Sequence, residues 1–152
     1  MGELALVRSM FGDAIDCHRV RIRRRRWHLL QPRHITMAPC GHIHFHPDSP
    51  AYREDFAAAD LASRGLFIHE MTHVWQAQQR GWLYLPLHRH PFCRFGYELV
   101  PGWPLTSYGI EQQAEIVRHA FLLRQGVLPA GVNDPQAYDG LVAFPGARKR
   151  SG

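Results

Sequence analysis

The stretch LFIHEMTHVWQ, residues 66–76, decides how this chain is read. Ile68, Met71 and Trp75 recur at three- and four-residue steps, the spacing of one face of an α-helix. The helical pattern runs from about Phe56 to Arg80, and Gly81 is well placed as its C-terminal cap. Inside it, His69, Glu70 and His73 form HExxH. Residues four apart lie one turn above each other, so both imidazoles can reach one metal ion. Glu70 can reach a water on that metal and take its proton as general base, while the metal lowers the water's pKa and polarises a carbonyl. With eleven histidines in the chain, a shuffled sequence would carry HExxH roughly 3 times in 100, so the motif needs support from elsewhere.

A catalytic zinc site needs a third protein ligand and an open position. The extended form HExxHxxGxxH is absent, because Gln76 and Gln79 occupy the relevant positions. A second helix is predicted from Tyr108 to Gln125, with Ile110, Ala114, Val117, Phe121 and Leu122 as its apolar stripe and Gly126 after its end. It carries EQQAE at 111–115, beginning 38 residues after His73. Glu111 and Glu115 lie one turn apart on one face. One of them can bind the metal while the other accepts the distal N–H of a ligand histidine. The blander alternative is a solvated face bearing Glu111, Glu115 and His119.

The pattern resembles the gluzincin class of zinc peptidases, in which a glutamate from a following helix joins HExxH. By that resemblance Glu111 is the ligand and Glu115 the supporting carboxylate. LFIHEMTHVWQ together with YGIEQQAEIV at 108–117 is also similar to small bacterial proteins labelled Vgr-related, a term for type VI secretion components. The two blocks cover about a seventh of the chain. The resemblance implies an α+β zincin-like domain: a short mixed sheet packed on the HExxH helix, closed by the glutamate-bearing helix. It implies one zinc ion per chain held by His69, His73 and Glu111, a peptide or protein substrate, and a secretion-system protein as partner. The edge strand of such a sheet borders the cleft. HIHFH at 42–46 is the expected strand, with His42 and His44 toward the substrate. His42, His44 and His46 share one face of it, which fits either a polar strand face or, less simply, a second metal site. Tyr108, three residues before Glu111, is the expected oxyanion donor, with Tyr97 and His119 as competitors.

The function expected is therefore zinc-dependent peptide hydrolysis. The alternative is a catalytically idle metal-binding module attached to a secretion or phage-like assembly. Glu70 argues against that alternative, since a structural site needs ligands but no base and usually has four protein ligands.

The rest of the chain frames the motif. Its 152 residues, 45% hydrophobic and 20% charged, suit one globular domain. That domain is expected over 1–145, followed by a disordered basic tail at 146–152. No run of about 18 apolar residues exists, so no spanning helix and no membrane insertion are expected. The opening MGELALVRSMFGDAID carries acids where a signal peptide needs an apolar core. The default location is cytoplasmic, with export by a route that needs no signal peptide as the alternative. Cys17, Cys40 and Cys93 are widely spaced and make no CxxC, which argues against a disulfide scaffold.

The net charge is +5, and 17 of the 18 basic residues are arginine. Arg23 to Arg26 precede Trp27. No recognised nucleic-acid motif surrounds them, so they are read as a solvated basic turn rather than a nucleic-acid site. A short helix is expected from Glu3 to about Asp16, weakened by Gly12. Strands are expected near 20–23, at 34–38 and at 42–46. Residues 82–107 read as an irregular, partly buried loop, in which His88, Arg89 and His90 could line a pocket or a dimer contact. The C-terminal part is expected to fold back through Tyr138, Leu141 and Phe144.

Overall fold

Asp60 starts the central helix. Its carboxylate accepts from the backbone N–H of Ser63 at 2.9 Å and from the Ser63 hydroxyl at 2.7 Å, satisfying donors that a helix start leaves open. In the computed structural model, which describes residues 2–88 and 93–147, the helix therefore begins at Leu61, and Phe56–Ala58 forms a separate 3-10 turn. The sequence pattern ran these together, because the Phe56 ring keeps the apolar phase across the break. With the other elements in chain order, we label the structure α1 (Glu3–Phe11), β1 (Ile22–Arg23), β2 (Ile43–His44), α2 (Leu61–Arg80), α3 (Tyr84–His88), α4 (Ile110–Arg124) and α5 (Ala137–Leu141).

α1 stops at Phe11 rather than Asp16. Gly12 takes φ +55°, and a Cβ there would collide with the backbone of residues 145–147, so the C-terminal segment can pass against the helix end only because residue 12 is glycine. Asp13 N–H donates to Pro145 O at 3.2 Å, and the Phe144 ring packs on Phe11 at 5.0 Å and on Trp75 at 5.2 Å. The chain end thus folds back onto α1 and α2, with Tyr138 and Val142 buried. Residues 148–152 of the expected tail lie outside the described residues.

The sheet is smaller than the sequence pattern implied. β1 and β2 pair in parallel, Ile22 with Ile43 and Arg23 with His44. The expected strand at 34–38 contributes one antiparallel bridge, Met37 to His44. Pro32 and Pro39 bracket that segment, and proline supplies no ladder donor. β2 and its extension alternate as anticipated: Ile43 and Phe45 enter the core while His42, His44 and His46 take the other face. Phe45 begins a stack that runs through Phe56 to Phe67, with ring centroids 5.4 and 4.9 Å apart. That stack ties the sheet to α2.

α2 and α4 form the most extensive contact between elements. α4 starts at Gly109, whose N–H donates to the Gln112 side chain at 2.9 Å, half of a capping box. Between the two helices, the segment read as irregular contains α3, and Leu85 packs with Ala77 and Ile110. Arg89 and His90 lie outside the described residues. Among the described residues no helix is long and apolar enough to cross a membrane.

Candidate metal centre

The α2–α4 contact buries four ionisable side chains together. His69 is 5% exposed, Glu70 3%, His73 0% and Glu111 1%. The α2 periodicity sets both histidines on the face toward α4, and Glu111 stands in the first turn of α4. Its Oε2 lies 3.3 Å from His69 Nε2 and 3.3 Å from His73 Nε2. Two donors bound to zinc at about 2.0–2.1 Å in tetrahedral geometry stand about 3.3 Å apart, so this spacing fits a shared ion. Among the described residues this is the only group of three such side chains whose ligand atoms converge.

The protons can be assigned from the surrounding hydrogen bonds. His73 Nδ1 meets Gln76 Oε1 at 2.9 Å. Gln76 Nε2 donates to Ile110 O and to Gln113 Oε1, each at 3.0 Å, which fixes its oxygen as the acceptor. His73 Nδ1 therefore carries the proton, and Nε2 presents a lone pair to Glu111 without hydrogen-bonding geometry. An ion held by His73 Nε2 would lie within reach of Glu111 Oε2 as well. His69 Nδ1 lies 2.8 Å from Glu115 Oε1, which orients the second imidazole in the same sense. Burial by itself would lower the His69 pKa. Hydrogen bonds to Glu111 and Glu115, with the charge of Glu70 nearby, outweigh it and raise the imidazole to about 9. The field that holds a proton there is the field a divalent ion would meet. Burial likewise pushes Glu115 up, but His69, Arg118 and His119 hold it below the usual carboxylate range. Glu70 Oε2 is buried and has no hydrogen-bond partner among the described residues. The donor set of two imidazoles and one carboxylate, with an unpartnered carboxylate oxygen beside it, fits a zinc ion that would take the place of the proton held at His69.

No family model matches the chain. It is 39% identical over 139 residues to the type VI secretion system spike protein VgrG2b of Pseudomonas aeruginosa; the match takes in 87% of this chain and 13% of that protein. The chain thus spans a small part of that relative's length. The solved effector domain of Pseudomonas aeruginosa VgrG2b superposes with a TM-score of 0.72 at 35% identity, over 93% of this chain and 80% of that one. The chain belongs to the VgrG2b effector-domain family.

In this VgrG2b-family domain His69, Glu70 and Glu111 line a cleft of about 730 Å³. Its walls include Trp27, residues 34–37, Leu66, Leu85, Phe95 and Arg118. The segment bordering it is 34–39, and neither His42 nor His44 lines it among the described residues. The reason is register: His44 pairs with Met37 through both backbone bonds, at 2.7 and 3.1 Å, so 34–39 lies between β2 and the cleft. His44 is 7% exposed, and its ring is lowered by burial first and then by nearby arginine charge; the same order holds for His42. His46 Nδ1 accepts from Asp48 N–H at 3.0 Å. Among the described residues these three histidines form no group of converging ligand atoms.

Tyr108 is not brought to the cluster either. Its hydroxyl accepts from Val100 N–H at 2.9 Å, and the side chain lines a different cavity. A tyrosine preceding the helix cap has extended backbone, which turns it away from the face that Glu111 uses. Tyr97 meets His119 Nδ1 at 2.5 Å and Tyr138 at 2.8 Å, while His119 Nε2 lies 3.6 Å from Glu115. These two therefore stand behind Glu115 rather than in the cleft. Sequence reasoning missed Gln76, Gln113 and Arg118. For Gln76 a signal existed, its position three residues after His73; for Arg118 it was the i+3 step from Glu115. Arg23 to Arg26 are exposed, with Arg24 bound to Pro47 O at 2.8 Å and over the Tyr52 ring at 5.0 Å.

Proposed function

We propose that this domain is a type VI secretion effector domain that hydrolyses peptide bonds with one bound zinc ion. The secretion part rests on the family: the relative is described as a spike protein, and its matching region as an effector domain. Travel with a spike would need no signal peptide. The chemistry rests on Glu70, a buried carboxylate oxygen without a partner beside a His69, His73 and Glu111 cluster. A purely structural site gains nothing from that arrangement and bears the desolvation cost of it.

His69, His73 and Glu111 would hold the metal, and Glu115 and Gln76 would hold the two imidazoles in the ligating tautomer. A bound zinc ion supplies Lewis-acid polarisation and a water of lowered pKa. Glu70 takes the proton from the attacking water and returns it to the leaving amine. Arg118, the one arginine lining the cleft among the described residues, offers positive charge to the developing oxyanion in place of Tyr108. The apolar walls at Leu66, Leu85 and Phe95 limit water and favour an extended chain with apolar side chains.

The first test is metal content. About one zinc per chain is expected, lost in Glu111→Ala and kept in the exposed control Glu54→Ala. No retained metal after zinc is supplied would sink the reading. An idle secretion-associated module, the second reading, shares the metal but predicts that Glu70→Gln leaves the domain's biological effect intact.

A further inference from the structure

A second cavity, of about 900 Å³, shares none of its described lining residues with the metal cleft. It lies between the 97–105 segment with Tyr108 and the 131–141 segment. Tyr108, 6% exposed, packs edge-to-face against Tyr97 at 6.4 Å and 77°, and against Trp103 at 5.6 Å and 65°. The tyrosine hydroxyls are already engaged: Tyr108 with Val100, Tyr97 with His119 and Tyr138. What these residues offer an occupant is therefore ring surface. Trp103 remains 49% exposed although it is the largest side chain in the wall.

The charge in this cavity runs against the rest of the molecule. Glu98 and Asp134 line it, and no lysine, arginine or histidine does so among the described residues, in a chain of net charge +5. Asp134 accepts from the N–H groups of Gln136 and Ala137 through one oxygen, Oδ1. Aromatic faces carry negative quadrupole potential, and two carboxylates add to it, so ring and acid favour the same ligand sign. An anion is repelled, and a neutral apolar group leaves the carboxylates unused. A guanidinium does both things at once, stacking on a ring plane and donating to a carboxylate. The volume is that of a site for a ligand larger than one ion, so flanking main chain enters as well.

We propose that this cavity binds a basic side chain of a polypeptide, arginine above lysine, between the Trp103 and Tyr108 rings and the Glu98 and Asp134 carboxylates. The site is separate from the metal centre and does not depend on hydrolysis. The test is an NMR titration of the full chain with Nα-acetyl-arginine amide, beside the neutral isostere Nα-acetyl-citrulline amide. The arginine compound should bind several-fold more tightly and move the Trp103 indole and Tyr97 ring signals. Trp103→Ala should weaken it about 2- to 5-fold. Glu98→Gln, which keeps shape and removes charge, should weaken it as well, most strongly at low salt. Both positions are exposed, so these variants keep the fold. Binding should persist after a chelator has removed any metal. Equal binding of the citrulline compound would overturn the proposal, as would wild-type affinity in both variants. Signals that move at His69 and Phe95 and vanish with the metal would place the ligand in the cleft and also overturn it.

Discussion

The cleft at His69 and the second cavity both hold carboxylates beside aromatic rings, yet they solve opposite problems. In the cleft, Glu70 and Glu111 are almost wholly buried and are carried by two long helices. In the cavity, Glu98 and Asp134 are exposed and are carried by loops. The fold fixes His69 and His73 at 3.3 Å from Glu111, and it leaves Glu70 Oε2 buried without a hydrogen-bond partner among the described residues. An exposed carboxylate is satisfied by water and can wait for its partner. The cleft is built to hold charge permanently, and the cavity to exchange it.

The comparison breaks first at Glu70. Replacement by glutamine keeps the shape and the three ligands. Peptide turnover should fall about 10²–10⁴-fold, while metal content stays at one ion per chain. Loss of metal together with turnover would mean that Glu70 ligates rather than acts as a base. Next comes the scaffold. Phe67→Ala opens one end of the Phe45–Phe56–Phe67 stack and should cost about 3–5 kcal/mol in denaturant unfolding. A much smaller loss would show that the sheet is not what supports α2.

A finer cut separates the ligands from what orients them. Glu115→Ala leaves all three ligands but frees His69 Nδ1, and metal affinity measured by chelator competition should drop about 10- to 100-fold. An unchanged affinity would mean that the 2.8 Å contact is not needed to set the imidazole. Smallest of all, Trp103→Ala should change unfolding stability by no more than about 0.5 kcal/mol, because a half-exposed side chain has little burial to lose. A large loss would recast the cavity wall as core.

The parts legible in the sequence were those set by local spacing. Residues four apart on a helix share a face wherever the helix sits, so His69 with His73 and Glu111 with Glu115 could be paired before any fold was known. That Glu111 rather than Glu115 faces both histidines came from family resemblance, and the 3.3 Å geometry agrees with it. What local spacing could not convey was which segment lies across from which. Residues 34–39 border the cleft because Met37 bonds to His44, a pairing between elements that no periodicity encodes. Tyr108 lies three positions from Glu111, but it precedes the cap and follows extended backbone, so helical reckoning misplaced it. Gln76 was read only as a missing histidine; its role depends on Ile110 and Gln113, 34 and 37 residues away.

His73 and Glu111 stand 38 positions apart in the chain, and everything between them leaves α2 and returns at the start of α4. An ion gripping both ends would close that stretch into a ring. Ring closure removes freedom from the open chain by an amount that grows slowly with length, about 0.6 kcal/mol for each doubling. Tyr97, Trp103 and Tyr108 all lie inside the ring. Loading the cleft would therefore act as a clasp on the wall of the other cavity, slowing amide hydrogen exchange across residues 97–109, apart from the residues that line the cleft.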